Sequence, residues 1–187
     1  AKAHIDMQLG KRLTLLIGEN GSGKSTVLDA LAVGLGAILT HLPKVSGVSF
    51  KQDDIKQENN KTAPYCRIRI ETQDGIVWDR TLRRDKSKKT ASEIPHAAGL
   101  SGLKKYLETE IINPFNENSE FELPVISYYG VSRALLDVPL RRRGFPKTHQ
   151  RFEALENALI STTRFKSAFV WFYNKENEEQ RKQQELK

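Results

Sequence analysis

The run Gly18-Glu19-Asn20-Gly21-Ser22-Gly23-Lys24-Ser25 matches the pattern G-x-x-x-x-G-K-[ST] without a mismatch. Such a spacing serves the capture of a polyphosphate. Gly21 and Gly23 have no Cβ, so the backbone can curl tightly and turn its N–H groups onto phosphate oxygens. A helix that begins at once adds the positive end of its dipole at the same point. Lys24 is placed to reach the terminal phosphates as a point charge. The Ser25 hydroxyl is the expected ligand for Mg²⁺, which keeps most of its waters and needs only one or two protein oxygens. The cradle to test is therefore Gly18, Asn20, Gly21, Ser22, Gly23, Lys24, Ser25 and Thr26.

Such a loop needs a strand before it and a helix after it. His4 to Leu9 alternates, with Ile5, Met7 and Leu9 on one side, and Arg12 to Ile17 reads as a strand of the buried type. From Lys24 the period becomes helical. Val27, Leu28, Leu31, Ala32, Leu35, Ile38 and Leu39 form one apolar stripe, and Pro43 marks a point where the helix has already ended. Tyr65 to Leu82 reads as a β-hairpin turned at Asp74-Gly75. Residues 83–95 look like an exposed loop, "GLSGLKKYLETEIINPF" like a helix capped by Ser101 and closed by Pro114, and "ELPVISYYG" like another buried-type strand. A basic connector, "LRRRGFPKTHQ", leads to two short helices over 151–175, with Phe152, Leu155, Leu159, Phe165, Phe169 and Phe172 inward. The polar tail from Asn174 reads as an exposed helix or the base of a long arm.

The bulk numbers fit one sizeable domain: 187 residues, 38% of them hydrophobic. A net charge of +7 favours acidic partners such as nucleotides or nucleic acid, or else marks a basic protein with no polyanion partner. Cys66 is the sole cysteine, which fits a reducing cytoplasm. No apolar run approaches the length of a membrane span, no signal peptide is visible, and no membrane partner is expected. The chain opens at Ala1 in mid-pattern, so residues are expected before it.

The wording G-E-N-G-S-G-K-S-T followed by V-L-D-A-L resembles the ATP-binding-cassette ATPases of the chromosome-maintenance and recombination-repair type. More narrowly, "LLIGENGSGKSTVLDALAVGLGA", "SGVSFKQDDIK", "LPVISYYGVSR" and "RFEALENAL…FKSAFVWFYNKENEE" resemble the PtuA-type ATPase of Septu and retron-linked anti-phage defence systems. The resemblance implies an α/β P-loop fold. It would be the first lobe of an ABC-type head, with a mixed sheet, an antiparallel β-subdomain and a C-terminal helical segment. Residues 1–150 would form the ATP-binding lobe, with the β-subdomain within about 63–85. Residues 151–187 would lead into an insertion or arm, and the second lobe would lie downstream.

The resemblance also implies ATP and Mg²⁺ as ligands and a homodimer that sandwiches ATP between two heads. Its further partners would be an HNH-type nuclease, with a reverse transcriptase and its DNA–RNA product beyond that. Second-lobe motifs do not stand in this sequence. Leu100-Ser101-Gly102 begins like a signature but precedes the "VISYYG" strand, and Asp137 is followed by Val138 where the family has Glu. Family heads use a Gln as sensor for Mg²⁺ and the γ-phosphate. Gln52 could take that role, or Arg133 in its place, unless Arg133 merely pairs with Asp137 one helical turn on. Two basic clusters, one with Arg83 and Arg84 and one with Arg141, Arg142 and Arg143, could contact nucleic acid or simply be solvated. Trp171, Phe172 and Tyr173 cannot all share one buried face of a helix.

Overall fold

The computed structural model describes residues 4–130, 151–160 and 166–185. Arg133, Asp137, Arg141, Arg142, Arg143 and Phe165 lie outside these residues, as does the side chain of Phe169.

Helix α1, Lys24–Thr40, starts at the loop and ends three residues before Pro43. Thr40 Oγ1 donates to Gly36 O at 2.8 Å, and His41 Nδ1 lies 2.7 Å from Ala37 O, so side chains occupy carbonyls near the end of the helix. The stripe expected along α1 is only half right. Ala32 and Leu39 are buried, but Leu28 is 42% exposed, and the buried face also takes in Val33, Gly34, Gly36 and Ala37. Small residues stand there because other backbone comes close. A Cβ on Gly36 would meet Val48 O at 2.6 Å, and one on Gly47 would strike Gly36 O.

A β-hairpin packs on that face. Strands β3, Tyr65–Glu71, and β4, Val77–Arg83, pair antiparallel from Tyr65↔Arg83 to Glu71↔Val77. A two-residue ladder precedes them, β1 Gln57–Glu58 with β2 Lys61–Thr62. Its turn residues Asn59 and Asn60 sit at φ 51 and 58, the left-handed values that a type I′ turn needs and Asn tolerates. Trp78 on β4 is buried and donates its Nε1–H to Gly34 O at 3.0 Å. Two residues on, Arg80 Nη1 donates to Val33 O at 2.6 Å and to Val48 O at 2.5 Å. The hairpin therefore holds α1 by its backbone as well as by apolar contact.

The remaining core comes from one irregular helix and one turn. Helix α3, Ser101–Leu107, runs through a π-turn, Glu108–Ile112, into α4, Asn113–Asn116. Pro114 has no N–H to close an α-turn onto Glu110, which accounts for the widened turn just before it. Leu103, Leu107 and Ile111 are buried, together with Phe152, Leu155 and Leu159 from the 3₁₀ turn Arg151–Leu155 and the residues after it. Phe115 stacks at a tilt on Phe152, with ring centroids 4.7 Å apart. Helix α5, Lys166–Glu185, carries the polar tail.

Several expectations need correction. Residues 4–17 and 121–130 form no strand, and the described sheets are two separate antiparallel pairs where a mixed sheet was expected. A strand is defined by a ladder of hydrogen bonds to a neighbour; among the described residues these stretches form none, and Tyr128 N–H to Ala158 O is a single bond. Leu13, Leu15 and Ile17 are accordingly 73–86% exposed, and Val125 is 95% exposed. Ser101 is the first helical residue rather than the cap; Leu100 takes the cap position without a side-chain bond. The stretch 83–95 is an ordered loop around helix α2, Lys88–Ser92, capped by Ser87 Oγ accepting from Thr90 N at 3.2 Å. Phe172 points outward at 64% exposure.

One buried ion pair fixes the back of the hairpin. Arg67 Nε lies 2.6 Å from Asp79 Oδ2, diagonally across the ladder, with the aspartate side chain 2% exposed. No aligned hydrogen bond joins those two atoms, so the attraction there is between the charges. Asp79 Oδ1 accepts from Gly99 N at 2.6 Å, and Arg67 Nη2 donates to His96 O at 3.0 Å. Removing one partner leaves a buried charge uncompensated, so Asp79→Ala should lower the unfolding free energy by about 3–5 kcal/mol in urea denaturation. The double change Arg67→Met, Asp79→Leu should recover most of that loss. A single-variant loss below about 1 kcal/mol would show the pair to be solvated instead.

Candidate phosphate-binding site

The loop Gly18–Gly23 turns back on itself before α1. Gly21 and Gly23 adopt φ 83 and 89, and a Cβ on either would meet nothing within 4 Å. What glycine supplies there is the left-handed backbone, not room. Gly18 is different, because a Cβ would come 2.7 Å from Ser22 Oγ. Ser22 N donates to Glu19 O at 3.2 Å and closes the turn.

The helix start is left open to an anion. Its first intrahelical bond is Val27 N to Gly23 O at 3.0 Å, so the amides of Lys24, Ser25 and Thr26 precede the ladder. Gly23 brings no capping side chain, and no acidic residue stands in the first turn to compete for those donors. Lys24 Nζ donates to Gly18 O at 2.8 Å and to Glu19 O at 2.6 Å, with Ser22 Oγ at 3.4 Å. The ammonium thus sits inside the arch of its own loop, beside the free amides. A cleft of about 370 Å³ opens between Leu15–Ile17 and Ser22–Lys24, floored by Val27. These groups fit a polyphosphate chemically: a lysine charge, N–H donors and a helix N-terminus.

Asp29 lies one turn beyond Ser25 on α1. Its Oδ1 accepts from Tyr128 Oη at 2.6 Å. Nothing in the sequence signals that these two residues meet, because 99 positions separate them.

The other sequence candidates fall elsewhere. Gln52 opens a 3₁₀ turn, Gln52–Asp54, and among the described residues no hydrogen bond links it to the loop. Its neighbours Val48 and Ser49 are held by Arg80, toward the far half of α1. Arg84 is committed to structure. Its Nε donates to Asp85 Oδ2 at 2.9 Å, Nη1 to Thr62 O at 2.9 Å and Nη2 to Thr90 Oγ1 at 3.0 Å. Hydrogen bonds from Ser87, then Arg84, hold the Asp85 carboxyl well below the usual carboxylate range. Arg83 is exposed and makes no ion pair among the described residues. Arg133, Arg141, Arg142 and Arg143 lie outside the described residues. No described cluster of His, Cys, Asp or Glu could by itself hold a metal, and no described helix is long and apolar enough to cross a membrane.

A lysine-centred glycine loop that opens an α-helix defines a P-loop nucleoside-triphosphatase domain. The chain belongs to the AAA domain family, whose model matches residues 2–187. It is 30% identical to the "Retron Ec83 probable ATPase" of Escherichia coli over 177 residues, 90% of this chain and 31% of that protein. It is 27% identical to the "Retron Vc95 probable ATPase" of Vibrio cholerae over 175 residues, 87% of this chain and 32% of that protein. Structural maintenance of chromosomes protein 6 of Saccharomyces cerevisiae is 27% identical over 119 residues, 58% of this chain and 10% of that protein. The chain spans about a third of the length of the retron relatives. It is an ABC-type, SMC-like P-loop ATPase domain related to retron ATPases.

Lys24→Ala removes the one cationic side chain of the loop. Charge-assisted hydrogen bonds are each worth about 1.5–3 kcal/mol, so ATP affinity should fall by about 100-fold in isothermal titration with the melting temperature little changed. Unchanged affinity would remove the loop from the binding site.

Proposed function

We propose that this chain is the nucleotide-binding part of an ATPase subunit in an anti-phage defence complex of the Septu or retron-linked kind, in which ATP state controls an associated nuclease. The observation that carries the reading is the Lys24-centred loop, set in a chain that aligns over 87% or more of its length with two retron ATPases. The domain is the first lobe of an ABC-type head, and two heads close on ATP as a homodimer. The nuclease is of the HNH type. A reverse transcriptase and its DNA–RNA product join it in the retron setting, where exposed Arg83 offers a phosphate contact.

The chain's own residues supply binding and orientation. The amides of Lys24, Ser25 and Thr26 direct the phosphates along the axis of α1. Lys24 exchanges the carbonyls of Gly18 and Glu19 for phosphate oxygens. The Ser25 hydroxyl, on the first turn of α1, would be the protein oxygen that holds Mg²⁺, and the ion when bound would neutralise charge on the terminal phosphates. No acidic residue of the sequence stands in the family context of a water-activating base, so hydrolysis would depend on residues outside this cradle.

A second reading, a DNA-repair or chromosome-maintenance ATPase of the same architecture, draws on the likeness to the yeast chromosome protein. A third, a scaffold that keeps nucleotide without hydrolysing it, draws on the lack of an acidic residue in that family context.

The three separate in one experiment on the full-length protein, co-purified with the nuclease encoded beside its gene. Cleavage of DNA or RNA should differ about ten-fold between ATP and nucleotide-free conditions, and Lys24→Ala should abolish that difference. Cleavage indifferent to nucleotide, or the lack of any nuclease in the complex, would contradict the defence reading. Intact assembly with no ATP turnover would select the scaffold.

A further inference from the structure

Asp29 stands four residues after Ser25, so the two side chains share one face of α1 a single turn apart. The Asp29 carboxylate takes a short, charge-assisted hydrogen bond from the Tyr128 hydroxyl, 2.6 Å long. Tyr128 is held from its other side too. Its backbone N–H donates to Ala158 O at 2.8 Å, and its ring lies against the core that contains Leu155 and Leu159. Burial, then the bond to Asp29, push the phenol up to about 12, so it stays a donor throughout the neutral range.

Core packing does not account for this pair. Asp29 is exposed and lies outside the buried face of α1. The segment 123–129 belongs to no ladder, and Val125 and Tyr129 within it are 95% and 66% exposed. Leu123, Ile126 and Tyr128 fasten it to the core. Among the described residues, the Tyr128–Asp29 bond is the only hydrogen bond that ties this segment to the helix of the phosphate loop.

We propose that Asp29 and Tyr128 are a positioning pair that couples occupation of the phosphate loop to the placement of segment 123–129. The proposal rests on the nucleotide reading of the loop. Phosphate would act on the first turn of α1, where Lys24 gives up the carbonyls of Gly18 and Glu19. An α-helix moves as a stiff rod, and Asp29 sits only five residues, about 7.5 Å, along it from Lys24. A tilt or turn of the helix start therefore reaches Tyr128 through one short bond. Val125 and Tyr129 are exposed, so the segment is held only along the side of Leu123, Ile126 and Tyr128 and can shift on that contact.

Hydrogen–deuterium exchange on the full-length protein, with and without Mg²⁺ and ATPγS, tests the coupling. In the wild type, nucleotide should slow exchange in residues 18–28 and, by about ten-fold, in 123–129. Tyr128→Phe and Asp29→Ala should each keep the first response and lose the second, with nucleotide Kd within about threefold of wild type. Asp29→Asn keeps an acceptor oxygen and should keep both responses, which a merely structural role would not single out. Asp29 is exposed, so its variants remain informative even if Tyr128→Phe fails to fold. A response in 123–129 that survives Asp29→Ala overturns the coupling, and so does a wild type in which 18–28 responds and 123–129 does not. If neither segment responds, the nucleotide reading falls and the coupling falls with it.

Discussion

The structure depends on how β4 grips helix α1 by its backbone. Trp78 and Arg80 donate into the carbonyls of Gly34 and Val33, and Arg80 also takes the carbonyl of Val48. Carbonyls in mid-helix are already engaged in the ladder, so these are second bonds on the same oxygens, and they need close approach. Gly34, Gly36 and Gly47 allow that approach, because side chains there would run into the hairpin or into neighbouring backbone. Burial of Trp78 and of the small face of α1 supplies the apolar part of the same contact. Binding depends on this docking, since amides at a helix start direct an anion only when the helix itself is fixed.

The loop in turn is organised around one cation. Lys24 holds Gly18 and Glu19 by their carbonyls and so shapes the arch that leaves the amides of residues 24–26 open. The left-handed turns at Gly21 and Gly23 are what let the backbone reach that shape. Around this centre the remaining polar groups have structural tasks. Arg67 and Asp79 hold the residues behind the hairpin, and Arg84 with Asp85 holds the loop around α2. That use of Arg84 reduces the basic cluster after the hairpin to its exposed members. The positive net charge is therefore a less direct guide to a polyanion partner than the loop is.

What could be read from the sequence follows the range of the interactions. The phosphate loop, helix α1 and the hairpin are local patterns, set by glycines, by periodicity and by a turn at Asp74-Gly75, and they stand where the residues put them. Phe152, Leu155 and Leu159 were legible for the same reason. The strands expected at 4–9, 12–17 and 122–130 were not realised, because apolar residues show that a segment seeks burial but do not provide the neighbour that pairs with it. The buried face of α1 was legible only at Ala32 and Leu39, since Gly34 and Gly36 carry no hydrophobic signal. Ser101 looked like a cap and is not one, and residues 83–95 looked like open loop until Thr90 turned inward. The Tyr128–Asp29 contact has no local signature at all.

The central claim is that the Lys24 loop binds the polyphosphate of a nucleotide, so the most direct measurement is which part of the ligand the affinity follows. Competition against a fluorescent ATP analogue should show ATP, ADP and inorganic tripolyphosphate as competitors. AMP and adenosine should be weaker than ATP by about 100-fold or more, since they lack the phosphates that meet Lys24 and the amides of α1. Adenosine competing as well as ATP, or tripolyphosphate failing to compete, would contradict the account.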